Sequence, residues 1–346
     1  MAMRSLRPGF WGLRCDRNLR ILLQPQSRNI YDDGISYDLL LNRSQPNALD
    51  NNMAKTIGFI SEKGGVGKTT ACFEIAISLH RDHKKRVLIV DADYQRGGIT
   101  GRLKPSLLRN FQSGVMTDTT IFHKFQQLYS ASTSSPNVTV VQSNFGINFL
   151  PADPRLSSIS VDKLPGGKTI KQNSQQMFKH LTLVGDVLSS FQEDYDYILV
   201  DSHPEVSDLL RSVIYACDYV VSPVKLDLQS AIGVPTVIGE ITSVNQDVEM
   251  IKIALGVRTA RSPTVFTGAI GMMAREWGGD LKSSEETEYR RLQKVGTVFD
   301  HYVTEGDGIR RAAQDRTTVR DINIQNAQKQ ANQFFDITNE LIGKCP

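Results

Sequence analysis

The chain has 346 residues, of which 40% are hydrophobic and 22% are charged, and its formal net charge is +3. This composition is typical of a soluble globular protein with one large domain or two smaller ones. No run of eighteen apolar residues occurs, which argues against a membrane-spanning helix. The four cysteines are scattered without a C-x-x-C pair, so neither a zinc nor an iron–sulfur site is indicated, and a reducing compartment fits best.

Residues 1–52 form a basic N-terminal extension and linker that we expect to be flexible, and residues 53–346 form the expected folded domain. Three interpretations of residues 1–30 stay open: a basic arm for nucleic acid or membranes, an organelle transit peptide, and a disordered leader, of which we favour the last. The basic residues of this segment are Arg4, Arg7, Arg14, Arg17, Arg20 and Arg28.

A glycine-rich stretch lies between an apolar run at residues 57–60 and a helical pattern from residue 69 to about residue 80. Strand, glycine turn and helix form the context of a phosphate-binding loop, in which backbone amides and the positive helix end surround anionic oxygens. The sequence therefore predicts a nucleotide site with this loop: Lys63, Gly64, Gly65, Val66, Gly67, Lys68, Thr69 and Thr70.

Two residues of the loop have predicted roles, and one position departs from the common pattern. Lys68 would reach the β- and γ-phosphates, and the Thr69 hydroxyl would ligate magnesium. The strict motif has a glycine where Glu62 stands, and a second lysine, Lys63, comes just ahead of the glycines. The loop is therefore a variant of the common phosphate-binding loop.

Two later strands end in acids. Residues 86–90 form an apolar strand followed by Asp91 and Asp93, and residues 197–200 form another that ends in Asp201. Acids at these strand ends lie at the ligand-binding edge of open α/β sheets and support magnesium in loop-type NTPases. The alternative for the first pair is that one acid only caps the next turn. Because residues 86–90 follow the loop helix directly, we expect this strand to lie beside the first strand.

Strands and helices alternate along the remaining chain. This alternation predicts an α/β fold with a single doubly wound, mostly parallel twisted sheet and helices on both faces. Residues 163–169 resemble a second phosphate loop, but no strand precedes them, so we expect a surface turn. Further helices are expected at residues 121–129, 170–192, 229–243, 284–294, 308–314 and 324–343. Further strands are expected at residues 138–141, 147–150, 219–224 (broken by Pro223), 251–257 and 296–303.

The three motifs together resemble those of the ParA/MinD family of deviant Walker-A ATPases, most closely the ParA-type plasmid and chromosome partition ATPases. The resemblance covers about residues 54–343. It implies that residues 53–346 form a P-loop ATPase domain that uses ATP and Mg²⁺. It also implies that Lys63 is the signature lysine that crosses a dimer interface to the partner's nucleotide, that Lys68 binds phosphates, and that Asp93 positions or activates the attacking water. The magnesium site that it implies comprises Thr69, Asp91 and Asp201.

The function implied by this resemblance is that of a slow ATPase that forms a homodimer on ATP, binds DNA non-specifically and positions a plasmid, chromosome or other cargo. Hydrolysis would be stimulated by a ParB-like centromere-binding or adaptor protein, and the protein would be cytoplasmic and nucleoid-associated. The candidate DNA-contacting residues are Arg310, Arg311, Arg316 and Arg320, followed by Arg290, Arg291 and Lys294.

The sequence departs from the family pattern at two site positions. Tyr94 replaces the usual proline, and residues 202–204 replace a Cys-Pro-Pro-like turn. The extension does not resemble a helix-turn-helix domain, which argues against site-specific operator binding. Three alternatives remain: a MinD-like membrane switch, a metal-cluster carrier and a small-molecule kinase or ligase. A membrane switch would need a basic amphipathic C-terminal helix. A metal-cluster carrier would need paired cysteines, and a small-molecule kinase or ligase would be active as a monomer without Lys63. Membrane binding is not expected, because residues 334–344 are not basic.

Overall fold

The computed structural model describes residues 53–95, 98–130, 137–257 and 261–346. The predictions for the N-terminal extension therefore lie outside the described residues, as does most of the loop expected at residues 130–137.

Strands and helices alternate along the described chain, as predicted. The strands are β1 (Lys55–Phe59), β2 (Val87–Ala92), β3 (Val141–Gln142), β4 (Asn148–Leu150), β5 (Tyr197–Ser202), β6 (Tyr219–Lys225), β7 (Val265–Ala274), β8 (Glu276–Trp277), β9 (Asp280–Leu281) and β10 (Val298–Thr304). The α-helices are α1 (Lys68–Arg81), α2 (Gly98–Leu103), α3 (Leu108–Gln112), α4 (Ile121–Ser130), α5 (Ile170–Ser189), α6 (Asp208–Ala216), α7 (Leu228–Leu255), α8 (Ser283–Val295), α9 (Asp307–Gln314) and α10 (Gln325–Lys344).

Eight strands form one sheet in the order β10-β7-β6-β1-β5-β2-β4-β3, and β8 and β9 form a separate hairpin. All neighbours in the large sheet are parallel except β3 and β4. Apolar side chains of α1 and α10, such as Leu79 and Phe334, cover one face. Leu188, Val213 and Val244, from α5, α6 and α7, belong to the core on the other face. The predicted fold class is confirmed.

The predicted position of β2 beside β1 is wrong, because β5 lies between them. Phe59 of β1 and Asp91 of β2 both pair with Asp201 of β5. All six residues of β5 are buried, which suits a strand covered by helices on both faces. With 14 residues, α1 is about 21 Å long, enough for the connection to pass over one intervening strand.

Two further strand predictions need correction. Residues 251–257 are not a strand: α7 continues to Leu255, and the chain leaves the helix at Gly256 with φ 67°. Ile253 is 81% exposed, so this apolar run does not form a buried strand. The strand in this part of the sheet is β7, which the sequence pattern did not predict. Of residues 138–141, Val141 alone belongs to a strand.

Pro223 lies within β6 and does not break it. Val221 accepts a hydrogen bond from the Ile60 amide and therefore faces β1. Because alternate residues of a strand face the same side, Pro223 also faces β1. The pairing between β1 and β6 ends at Phe59 and Val221, so the missing amide of Pro223 leaves no gap in the ladder.

A buried ion pair joins α1 to α2. Glu74 and Arg102 are 4% and 7% exposed, and 2.5 Å separates Glu74 Oε1 from Arg102 Nη2. Arg102 also donates to the Thr317 carbonyl at 2.9 Å and stacks over the Phe73 ring, and Glu74 accepts from the Val319 amide. The pair therefore ties the helix after the phosphate loop to the segment after α9.

Glu74→Ala should destabilise the fold by about 3–5 kcal/mol, because it leaves the Arg102 guanidinium buried without its carboxylate. The measurement is urea unfolding followed by circular dichroism. Glu286→Ala is the matched control: it removes an exposed partner of Arg290 and should cost about 0.5 kcal/mol or less. Equal losses in the two variants would contradict a structural role for the buried pair.

Candidate nucleotide-binding site

The loop after β1 adopts a backbone that glycine makes possible. Gly65 and Gly67 have φ values of 74° and 99°, in the left-handed region that favours glycine. A Cβ at Gly67 would also lie 3.1 Å from Met272 Cε. A Cβ at Gly64 or Gly65 would meet no atom within 4 Å, so this part of the loop is open. The first turn of α1 has no side-chain cap, which leaves its amides available to an anion.

Lys68 occupies the first position of α1 and is buried. Its Nζ donates to the Lys63 carbonyl at 3.2 Å, and the Ser61 hydroxyl donates to the same carbonyl at 3.1 Å. Burial lowers the pKa of Lys68, and the carboxylates of Asp201 and Asp93 oppose this shift. The ammonium group thus lies near two acids at the mouth of the loop.

The Lys63 side chain is bound to α7. Its Nζ donates to Oε1 of Gln229, at the start of α7, and its side chain is partly exposed. The two lysines of the loop therefore have different partners: Lys68 donates to the loop backbone, and Lys63 donates to α7.

Asp201 lies at the carboxyl end of the sheet, next to Asp91 in the register of β5 and β2. It is fully buried, and neither carboxylate oxygen has a hydrogen-bond partner among the described residues. Burial raises the pKa of Asp201 well above its usual value, and the Asp91 carboxylate adds to the shift. The Thr69 hydroxyl opposes it, but its geometry falls outside that of a hydrogen bond.

Asp91 has most of its hydrogen-bonding capacity filled. Its Oδ2 accepts from the amide and the hydroxyl of Thr100, at 2.9 and 2.6 Å, and its Oδ1 accepts from the Asp93 amide at 3.1 Å. Burial raises the pKa of Asp91 to about 7, against the opposing effect of Thr100. Asp91 therefore caps the turn into α2, which was the alternative considered for one acid of the pair.

Asp93 is only half-buried, at the end of the same strand. Its Oδ1 accepts from the Gln95 amide at 2.8 Å. Burial raises the pKa of Asp93, whereas the Gln95 amide and Lys68 lower it and the nearby Glu205 carboxylate raises it further. The structure thus brings Asp93, Lys68 and Asp201 to one edge of the sheet, as the sequence predicted.

These residues fit a magnesium ion held together with nucleotide phosphates. Magnesium keeps several waters and takes one or two carboxylates beside the phosphate oxygens. The two free oxygens of Asp201 can accept hydrogen bonds from such waters. Thr69 lies in the first turn of α1. The side chain of Thr69 packs close to Gly98, because a Cβ there would lie 3.4 Å from Thr69 Cγ2.

Three residues around Asp93 form a cluster that sequence reasoning missed. The rings of Tyr94 and His203 lie 4.7 Å apart, and the Tyr94 hydroxyl donates to Glu205 at 3.0 Å. Burial lowers the pKa of His203 to about 4, so the ring is neutral near pH 7. The sequence did carry one signal for this cluster. Tyr94 and His203 are the two positions that depart from the family pattern, and in the structure they contact each other.

The candidate DNA-contacting arginines divide into two sets. Arg310, Arg311 and Arg316 are exposed on or just after α9, and Arg310 is paired with Asp307. Arg316 has a φ of 50°, a conformation that glycine usually takes at the end of a helix. Arg320 instead pairs with Asp82, at the end of α1. The structure therefore brings three of the four arginines into one exposed segment.

The segment at residues 163–169 is a surface turn before α5, as predicted. Asn173 Oδ1 and Gln172 Oε1 accept hydrogen bonds from the amides of Gly167 and Lys168. These amides already have partners within the protein, unlike those expected in a phosphate-binding loop.

The C-terminal helix packs on the sheet, as predicted. Phe334, Ile337 and Leu341 of α10 are buried in the core beside α1 and β10. No helix in the described ranges is long and apolar enough to cross a membrane.

A mostly parallel sheet with a glycine loop after β1 and a buried acid at the end of β5 has the fold of a P-loop NTPase. A family model described as an AAA domain (AAA_31) matches residues 54–254, more than half of the chain. The chain belongs to this family, and it is similar to ParA-type ATPases.

Relatives of known sequence agree with this assignment. The chromosome-partitioning ATPase Soj of Thermus thermophilus is 29% identical over 180 residues, which cover 52% of this chain and 58% of Soj. A ParA family protein of Chlamydia pneumoniae is 26% identical over 191 residues, covering 55% of this chain and 66% of that protein. The chain thus spans 58–66% of the length of these curated relatives.

Solved structures share the fold. An ATP complex of a McdA variant from Cyanothece has a TM-score of 0.62 and 17% identity, and the match covers 84% of this chain and 97% of the McdA chain. A putative plasmid partition protein of Borrelia burgdorferi bound to AMPPNP has a TM-score of 0.54 and 17% identity, with 83% and 99% covered.

Proposed function

We propose that this protein is a magnesium-dependent ATPase that dimerises on ATP, binds DNA non-specifically and positions a plasmid, chromosome or other cargo. The observation that carries the proposal is the variant loop. Lys68 donates to the loop backbone near Asp201, whose carboxylate oxygens have no hydrogen-bond partner within the described chain, whereas Lys63 donates to Gln229. The kinship with ParA and Soj proteins supports the cellular role. We further propose a cytoplasmic, nucleoid-associated location and a ParB-like or adaptor partner that stimulates hydrolysis.

The residues of the loop would bind the phosphates of ATP. The open backbone at Gly64 and Gly65 and the uncapped start of α1 offer amide donors, and Lys68 adds a positive charge. A magnesium ion, when bound, would neutralise phosphate charge, with Thr69 and Asp201 holding it and its waters. Asp93 would hold or accept a proton from the attacking water, since its Oδ2 takes no hydrogen bond within the described chain.

The position of Lys63 supports a site completed by a second copy of the chain. Its ammonium group donates to Gln229 at the start of α7, whereas that of Lys68 donates to the loop backbone. In the proposed dimer it would contact the partner's nucleotide and supply positive charge that a monomer lacks. ATP binding and dimerisation would then be coupled, because each supplies contacts that the other needs.

The exposed arginines of α9 support the DNA-binding part of the proposal. Within the described chain, Arg311 and Arg316 have no ion pair, and Arg310 has only an exposed one. Holding Arg316 at positive φ costs about 1 kcal/mol relative to glycine, a strain that tends to persist where a side chain has a function. Such side chains would contact phosphates and give binding without sequence preference.

Replacing Arg310 and Arg311 together with Ala should weaken ATP-dependent DNA binding and leave ATP affinity unchanged. The slope of log affinity against log salt concentration should fall by about one to two units, because two phosphate contacts are lost. Fluorescence anisotropy with labelled duplexes of two unrelated sequences measures both quantities.

The matched control removes the same charge elsewhere. Lys168→Ala with Lys171→Ala deletes two exposed cations at the start of α5 and should leave the slope unchanged. An unchanged slope in the arginine variant would place the DNA surface away from α9. An equal fall in both variants would show that the arginines of α9 are no more important for DNA binding than other exposed cations.

A further inference from the structure

The turn that carries Asp93 is held by one carboxylate from the neighbouring loop. Glu205 follows β5, and its Oε2 accepts from the Tyr94 hydroxyl at 3.0 Å. Its Oε1 accepts from the Gln95 side-chain amide at 3.3 Å. The Gln95 backbone amide in turn donates to Asp93 Oδ1 at 2.8 Å. Glu205 therefore contacts both residues that follow Asp93.

The loop that carries Glu205 is held in place by His203 and Ser207. His203 is fully buried, and its ring lies 4.7 Å from the Tyr94 ring. His203 Nε2 lies 2.7 Å from the Ser207 hydroxyl, and Ser207 caps α6 by accepting from the Leu210 amide at 3.1 Å. Tyr94 thus rests on a group that is tied to the start of a helix.

Glu205 is exposed, but its partners are not those of a surface ion pair. Within the described chain no cation pairs with it; its hydrogen-bond donors are the neutral side chains of Tyr94 and Gln95. Asp93, a like charge, lies near enough to be affected by it. Glu205 therefore holds the Tyr94 and Gln95 side chains in place, although the Asp93 carboxylate lies nearby.

We propose that Glu205 is a positioning residue for ATP hydrolysis, and that it acts by fixing Tyr94 and Gln95 so that the turn presents Asp93 in one orientation. This inference rests on the proposed ATPase function. Within the described chain, Glu205 makes no hydrogen bond or ion pair with the loop glycines or Lys68, so it should affect the chemical step and not nucleotide binding.

The experiment compares Tyr94→Phe, Glu205→Ala and Glu205→Gln with the parent chain in steady-state ATP hydrolysis. Tyr94→Phe and Glu205→Ala should each lower kcat about tenfold, because catalysis depends steeply on the placement of the reacting groups. KM for ATP should stay within about twofold, since binding contacts are untouched. Glu205→Gln keeps an acceptor for Tyr94 and should recover much of the lost kcat.

Two further measurements separate positioning from a loss of stability. The double variant Tyr94→Phe, Glu205→Ala should be no slower than Glu205→Ala alone, because Glu205→Ala already removes the bond that Tyr94→Phe deletes. In nucleotide-free protein, amide hydrogen exchange should speed up at residues 93–95 and stay unchanged in β1. Tyr129→Phe is the matched control, since it removes a tyrosine hydroxyl whose partners are His180 and the Ser160 amide and not Glu205, and its kcat should equal that of the parent.

The outcomes are distinct for the two proposals. Additive losses in the double variant, a change in KM alone, or an equal fall in Tyr129→Phe would overturn the role of Glu205. The same role would be overturned if the parent chain hydrolyses ATP and both Tyr94→Phe and Glu205→Ala have the kcat of the parent. A parent chain without ATP hydrolysis would overturn the proposed ATPase function, and the positioning role with it.

Discussion

Lys63→Ala should bind ATP yet remain monomeric at ATP concentrations that convert the parent chain to a dimer. The Lys63 ammonium group is bound to Gln229, so the proposed phosphate contacts of Lys68 and the glycine backbone should remain. Removing one partner of a desolvated charge contact at an interface costs about 2–5 kcal/mol, so the dimer should weaken at least about 30-fold. ATP-dependent DNA binding should be lost with the dimer. Light scattering with and without ATP measures the mass directly.

The chain offers a matched control for this variant. Lys163 lies five residues before Lys168, as Lys63 lies five residues before Lys68, but in the surface turn before α5. Lys163→Ala should dimerise like the parent chain. Dimers of Lys63→Ala with parent-like affinity would show that Lys63 does not act across an interface.

Asp93→Ala should lower ATP turnover by about 10²- to 10⁴-fold, the range for loss of a positioned general base. ATP binding should persist, because within the described chain the Asp93 carboxylate makes no hydrogen bond to the loop and accepts only from the Gln95 amide. The ATP-bound dimer should therefore accumulate and stay on DNA for longer. Single-turnover hydrolysis and dissociation from DNA after dilution measure the two effects.

Asp93→Asn tests whether charge or shape matters at this position. The amide can still accept from Gln95, so the turn should keep its form, while the water loses its base. Turnover should fall nearly as far as in Asp93→Ala. Parent-like turnover in either variant would remove Asp93 from the reaction.

The loop and the acids were predictable because each lies next to a strand with a strong apolar pattern. Residues 57–60 and 197–200 are apolar at every position except Gly58, and parallel strands place their carboxyl ends at one edge. The strand order was not predictable from proximity in the chain. Whether β5 enters between β1 and β2 depends on burial on both of its faces, which the local pattern does not encode.

The errors around α7 and β7 have a common cause. The apolar residues of 251–257 occur in a short run that periodicity cannot assign to helix or strand, and the helix ends only at Gly256. In β7, Gly271 weakens the strand pattern, yet it is needed because a Cβ there would lie 2.9 Å from Tyr302 Cβ. A contact with Tyr302, far along the chain, therefore decides the choice of glycine.

Tertiary contacts also explain what was missed in the site. Neither Glu74 nor Glu205 belongs to a motif, and each finds its partner only when separate strand ends and helices meet. The departures at Tyr94 and His203 weaken a motif-based inference when each is considered singly. In the structure their rings contact each other, tilted by 37°, beside Asp93.

The most direct test of the account is DNA binding across a salt series with no nucleotide, ADP, ATP and a slowly hydrolysed ATP analogue. We predict tight, sequence-independent binding with ATP and the analogue, which weakens steeply as salt rises. We predict weak binding with ADP or without nucleotide. Equal affinity in all four conditions, or no binding with ATP at low salt, would contradict an ATP-switched DNA-binding dimer.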